Sequence, residues 1–430
     1  MVATSKPTSF CKAGMSLLSR KYLSLILASA LLVAVPAGAA EYSLQAIIDQ
    51  RAFYNGNLGM FSDPASTAQD QREMYASGYA LAPRLNLRAR SPRWQLDLNS
   101  VASFSRLSDQ LYDSDDQKIG LKYGYTGARA RWDVDASIDR SSTRSNVAEL
   151  GEILAAVRSE SYSLTPRWTR VLSERNSLAL GGNWASVDYQ ARRFNDYDYY
   201  GFDITWLRQL SEQNQLQIGV YQSIFEAGEK RNNTDIESDT LGLTVALVRN
   251  VNEALSTNIS IGARQVETST PILCDFVSAL FGQCTFGSRL GVNTTDSDGF
   301  TAAAGVDYTA QRWSVSASLS RSLVPNSTLG DLLETDTVTL SFNRQLRETL
   351  YFELDLSATQ EDQLESNSFS RDRFRIAPRL RWQFAERWSM TTSVVHNSRD
   401  SLRFGSSNDA EGTSISFRVR YTHPRESWSR

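Results

Sequence analysis

Beyond residue 40 the chain has no long apolar run, so nothing offers the ~18 or more consecutive residues that a membrane helix needs. Any passage through a membrane must be made by strands. Histidine is almost missing, with His396 and His423 the only two. A Ser/His/acid triad requires a histidine held beside both partners. His396 shares alternation parity with Trp388, Met390 and Val394, and His423 ends the last strand, so both read as interface residues rather than general bases. Metal-ligand spacings and a glycine-rich phosphate loop are absent too, and neither a cofactor nor an enzymatic activity is expected. No charge sign dominates: 45 Lys+Arg stand against 48 Asp+Glu, which gives no reason to expect nucleic-acid binding. Cysteine is limited to three. Cys11 lies near the N-terminus, while Cys274 and Cys284 share one polar, glycine-containing stretch. In an oxidising compartment that pair is expected to form a disulfide across a short loop; a zinc pair is the alternative, with no histidine nearby.

What the chain does have begins with an export signal. Arg20 and Lys21 precede the apolar run Leu23 to Val35 and the small-residue exit Pro36-Ala37-Gly38-Ala39-Ala40. A short apolar core followed by an A-x-A site reads as a secretory signal peptide over residues 1–40, starting at Met1 or at Met15. Its removal takes away Lys6, Lys12, Arg20 and Lys21, leaving 41 Lys+Arg and a mildly acidic mature chain.

The mature part alternates. From Ala128 to Asp139 every even position is apolar and every odd one polar, the period-two pattern of a strand between lipid and water. The same holds for Trp94/Leu96/Leu98, Tyr200/Phe202/Ile204/Trp206, Leu241/Leu243/Val245/Leu247, Phe300/Ala302/Ala304/Val306/Tyr308 and Leu350/Phe352/Leu354/Leu356. A soluble sandwich would alternate as well, so the connections decide. Short turns near residues 91–92, 126–127, 173–176, 211–214, 250–253, 310–311, 345–348 and 385–387 alternate with longer polar links, among them 55–72, 142–157, 268–297, 323–332 and 398–411. Turns at one rim and loops at the other are the asymmetry of outer-membrane barrels, with the turns periplasmic. The reading is therefore all-β: an antiparallel up-and-down transmembrane barrel of about 18 strands, with 16 as the alternative, over residues 41–422, followed by a short tail, 423–430. Its first strand is expected over Ser43 to Tyr54. A parity switch within Ser177 to Arg192 suggests a β-bulge. The last strand presents Ile415, Phe417, Val419 and Tyr421 outward, as a terminal strand read by the barrel assembly machinery should.

Two phrases recur. Leu172-Ser173-Glu174-Arg175-Asn176-Ser177-Leu178 and Leu210-Ser211-Glu212-Gln213-Asn214-Gln215-Leu216 make one hairpin the repeating unit. Pro83, Pro166 and Pro378 each stand seven or eight residues before a short turn, in Leu/Ile-x-Pro-Arg contexts. Proline cannot donate to the ladder, so the motif predicts an outward-facing bulge, with Arg84, Arg167 and Arg379 pointing inward. The stretch from Ser161 through Arg167-Trp168 and Leu172–Leu178 to Val187-Asp188-Tyr189 resembles the large Gram-negative outer-membrane barrels classed as β-barrel porins, including those linked to exopolysaccharide and PEP-CTERM systems. That resemblance covers mainly residues 160–225. It implies an outer-membrane barrel connected with surface polysaccharide and supplies no active-site residue.

Charge inside the barrel carries the functional expectation. By parity Arg373, Arg375, Arg379 and Arg381 line one strand, Arg418 and Arg420 the last, Arg84, Arg88 and Arg90 the second, and Arg167 another. Closure brings several of these strands together into a basic stripe that could guide an anionic polymer or solute. Alternatively the arginines pair with Asp97, Asp133, Asp135, Glu353 and Asp355 and stiffen the wall. Trp94, Trp132, Trp168, Trp313, Trp382 and Trp388 lie near short turns and read as an interfacial girdle. The loop Thr270 to Asp298, with its apolar centre at Phe276 to Phe281, is the candidate plug or lid. The leading functional expectation is a passive conduit for exopolysaccharide export, with anionic polysaccharide, periplasmic export proteins and outer-membrane lipid as partners. A porin for small solutes and a structural or adhesive barrel are the alternatives. A barrel of ~16 to 18 strands leaves an aqueous channel unless loops fill it.

Overall fold

The computed structural model describes residues 40–57, 75–142, 157–191, 194–229, 234–273, 289–326, 329–364, 369–403 and 406–429. Residues 1–39 of the expected signal segment and both Cys274 and Cys284 lie outside the described residues, as does the apolar centre of the candidate plug. The first strands are β1 (Glu41–Asn55), β2 (Ala76–Arg90), β3 (Trp94–Leu107), β4 (Ser114–Thr126), β5 (Ala130–Ser142) and β6 (Arg158–Val171). They are followed by β7 (Asn176–Tyr189), β8 (Asp196–Gln209), β9 (Asn214–Glu229), β10 (Thr234–Asn250), β11 (Leu255–Leu273) and β12 (Arg289–Thr309). The circuit ends with β13 (Trp313–Asn326), β14 (Asp331–Arg347), β15 (Leu350–Gln363), β16 (Phe369–Ala385), β17 (Trp388–Arg403) and β18 (Ser406–Thr422), then a short β19 (Glu426–Ser429).

Each strand pairs antiparallel with the next, and β1 zips to β18 from Ile47↔Thr422 to Asn55↔Ser414. This is a closed 18-strand antiparallel barrel, as the alternation and turn spacing predict. All eight short turns fall where the sequence puts them. The recurring phrases make the same turn twice: Leu172 N–H donates to the Asn176 carbonyl and Leu210 N–H to that of Asn214, each at 2.9 Å. The turn asparagine then donates to the serine hydroxyl, Asn176 to Ser173 at 2.9 Å and Asn214 to Ser211 at 2.8 Å.

Three local expectations fail. First, the prolines make no bulge. β2–β3, β6–β7 and β16–β17 each skip the rungs around Pro83, Pro166 and Pro378 and then resume in unchanged register. A missing N–H deletes a bond without adding a residue. Second, β7 keeps its register throughout, so the parity switch is not a bulge. Val187 and Tyr189 are apolar on the inward side because they pack with Phe194 in a buried cluster at the outer rim. Third, several links expected to be loops are strand. β11 and β12 run through much of 268–297, and the 398–411 link is mostly β17 and β18. A membrane needs only ~9–11 residues per strand, whereas these four run from 16 to 21. The wall therefore continues beyond the lipid. The 423–430 tail also joins the wall. Pro424 interrupts the ladder, yet β19 pairs with Glu41–Leu44 of β1, where Tyr42 stacks on Trp428 at 5.8 Å.

The outward face is apolar and exposed, as in Ile259, Ile261, Leu243 and Phe202. At the short-turn rim, aromatic pairs such as Trp132–Trp168, Tyr308–Trp313 and Trp388–Tyr421 form a girdle. A closed barrel wearing an apolar belt with an aromatic rim is a membrane-spanning barrel. Ile261, six residues above its turn and 63% exposed, sits near the belt's middle. Ile261→Arg should therefore cost about 2–4 kcal/mol in urea unfolding from lipid vesicles, while Ser260→Arg, on the lumen side, should cost far less.

Candidate functional site in the barrel lumen

Register assigns every inward side chain, and it divides the lumen in two. On β1–β6 and β15–β18 the inward positions are rich in charge. On β7–β14 they are mostly Gly, Ala, Ser, Thr, Asn and Gln, with Gly181, Gly219, Thr244, Ser260, Ala303 and Ser318 as examples. Glycine serves close approach here: Tyr221 lies flat across Gly242 on the neighbouring strand, where a Cβ would collide with its ring.

Most of the arginines expected in the stripe face inward, and most are paired. Asp49, 3% exposed, is the hub at the closure point. It takes Arg420 of β18 at 2.7 Å and Arg84 of β2 at 2.9 Å. The Arg420 contact is a directed hydrogen bond. Arg84 Nε lies off the hydrogen-bond line, so its contact is a salt bridge alone. Arg88 pairs with Asp97 on the next strand. Arg379 bonds Asp355 and lies 3.6 Å from Glu353, which also draws Arg381 at 3.9 Å while that guanidinium covers the Tyr351 ring. Nearer the outer rim, Arg373 and Arg371 share the buried Glu361. On the other side, Asp133 is taken by Arg131 at 2.8 Å and Asp135 by Lys122 at 3.5 Å. The acids named from sequence are thus all in ion pairs.

Four stripe residues stand apart. Among the described residues, Arg90 at the short-turn rim and Arg167, Arg375 and Arg418 deeper in make no salt bridge, although Arg167 stands opposite Asp133 across the β5–β6 ladder. Arg375 lies between Ser357 and Asn397, and Arg418 between Thr391 and Arg51. Neither histidine joins the lumen array. His396 faces outward with Nδ1 3.0 Å from Thr413 Oγ1, and His423 sits at the short-turn rim beside the Pro424 carbonyl.

Sequence reasoning missed Asp49, the neutral half of the lumen and the packing at the outer mouth. Asp49 has the inward parity of β1, a signal available only once that strand's pattern is resolved. At the outer mouth, inward residues become buried around much of the wall, including Ser105, Ser159, Thr240, Thr268, Leu333 and Glu361. At mid-depth and toward the short turns Arg88, Arg379, Arg381 and Lys122 keep 37–70% of their side-chain surface. The lumen is wet from the short-turn end and closed in at the other. Just above the belt, the Arg321 hydrogen bond holds the Asp336 carboxyl below the usual carboxylate range.

No protein-family model and no curated protein matches the chain. Among solved structures it is similar to OccAB3 of Acinetobacter baumannii, with 12% identity, a TM-score of 0.43, and 89% of this chain and 99% of that one covered. The ferric-catecholate import receptor Fiu of E. coli gives 8% identity and a TM-score of 0.46, covering 88% of this chain and 81% of that one. Pseudomonas aeruginosa OpdL gives 12% and 0.42, covering 88% and 98%. Likeness at this level says nothing about solute or mechanism. By its own geometry the chain is a closed antiparallel β-barrel with the apolar belt and aromatic girdle of a membrane-spanning wall.

Because Asp49 joins three strands at closure, Asp49→Ala strands two arginines at once. Both are about one-third exposed, so water recovers part of the loss. The variant should lose about 1–3 kcal/mol, read as a lower temperature for the heat-modifiable gel shift.

Proposed function

We propose that the protein is a passive pore of the outer membrane for small hydrophilic solutes, with a preference for anions and no chemistry performed on what passes. The observation behind this reading is the imbalance on the charged side of the lumen. The five acids that sequence parity places in the lumen are each held in an ion pair, while Arg167, Arg375 and Arg418 keep inward charge without a salt bridge among the described residues. Guanidinium groups on a water-lined wall favour carboxylates, phosphates and halides by direct pairing and by the local potential they raise. The neutral Ser, Thr and Gly surface opposite offers hydroxyls and backbone without competing charge.

Export of an exopolysaccharide, the leading sequence expectation, rests on the family resemblance alone. A polymer needs a clear bore through both rims at once. The dense packing at the outer mouth favours short solutes that cross singly.

The test is reversal potential in planar bilayers under a potassium chloride gradient. The purified protein should show a chloride preference. Replacing Arg167, Arg375 and Arg418 together with Glu should carry the selectivity to the cation side. An unchanged potential would return those arginines to a purely structural role, and absence of any conductance would remove the pore reading.

A further inference from the structure

The wall is not continuous to its outer edge. β12 pairs with β13 only from Thr309↔Ser314 to Ala302↔Arg321. Above that fork β12 stays on β11 as far as Arg289, and β13 stays on β14 as far as Asn326. The two hairpins part where the membrane belt ends, some seven to eight rungs above the short turn at residues 310–312.

The upper part of β13–β14 then turns in at the mouth. Leu332 is buried against Phe225 and Ala227 of β9, with Tyr197, Tyr199 and Leu323 around them. Gly330, at φ +70° in the hairpin tip, stands so close to β9 that a Cβ there would lie 3.7 Å from the Ala227 Cβ. Apart from Leu323, which belongs to β13, the residues around Leu332 sit on β8 and β9, neither of which neighbours β13 or β14 in the sheet. The hairpin tip leaves its own place in the wall and lies against the inner face of β9.

One ion pair pins it from behind. Glu334 of β14 bonds Arg264 of β11, a strand three places away, and also lies 3.4 Å from Arg321 of its own hairpin. Register places Glu334 on the outward face of β14 and Arg264 on the inward face of β11, so two layers of wall overlap there. The Arg264 side chain is 1% exposed, and its Nε and Nη1 carry no hydrogen bond. A buried guanidinium with part of its donors unmet is costly to keep, and the carboxylate is what offsets the cost. Breaking that single contact should favour a state in which Arg264 reaches water.

We infer that the outer part of β13–β14 is a hinged gate of this pore, forked from the wall at Ala302/Arg321, closed by Leu332 on Phe225 and Ala227, and held by the Arg264–Glu334 pair. The inference rests on the pore reading for its role in transport. The movement itself can be tested without it.

Three variants decide it in the full-length barrel. Arg264→Glu and Glu334→Arg each place like charges at the pin, and the two together restore an opposite pair with its polarity reversed. A cysteine at Leu332, probed with a membrane-impermeant maleimide in a Cys274→Ser, Cys284→Ser background, reports whether the tip is lifted. Each single change should speed labelling by about tenfold or more, as expected when a buried ion pair loses a partner, and the double change should return it toward the starting rate. In bilayers the singles should raise conductance, whereas a disulfide between Ala227→Cys and Gly330→Cys should lower it until reductant is added. Labelling that is equal in all four proteins overturns the gate. Faster labelling in the singles without conductance in any protein keeps the moving hairpin and overturns the pore.

Discussion

Everything in this molecule depends on one requirement: in hydrocarbon no backbone N–H or C=O can be left without a partner. A sheet meets that demand only if its first and last strands find one another. Here the meeting of β1 with β18 does so over nine rungs, and β19 extends it past Pro424. The three prolines show the tolerance of the rule. Each deletes bonding on one side of one strand, keeps the register, and turns its ring to the lipid side. The fork above Ala302/Arg321 shows the limit of its reach. Once the wall rises out of the membrane, water can serve unpaired edges, and the strands are free to separate.

Closure also fixes what the inside is made of. With side chains alternating strictly, each residue is committed either to lipid or to the lumen, and no register shift occurs within the belt to change that commitment. The charged strands become neighbours through the β1–β18 junction although they lie at opposite ends of the sequence. The neutral strands are the middle of the chain. The two-sided lumen is thus a direct image of how charge is distributed along the sequence, wrapped once around an axis.

Architecture was largely legible for that reason. Alternation named the outward face, short turns counted hairpins, and the Leu-Ser-Glu repeats marked equivalent turns, so strand number, turn positions and the inward parity of Arg84, Arg167 and Arg379 are written in the sequence alone. What escaped was of a different kind. Val187 and Tyr189 broke the pattern because they pack inside the mouth, a tertiary contact that looks like a bulge in one dimension. The strands of 268–297 read as a loop because, above the membrane, neither face must be apolar. Pairing partners such as Asp49 with Arg420, or Glu334 with Arg264, join residues that only closure and overlap bring together. Parity tells which way a residue points and says nothing about whom it meets.

The girdle has an optical consequence. Of the nine tryptophans, all but Trp184 lie near the short-turn end of their strands or on β19. The intrinsic fluorescence of the barrel is therefore a gauge of one rim. It will follow insertion of that rim into lipid closely, and rearrangement at the far mouth will pass almost without a change in colour.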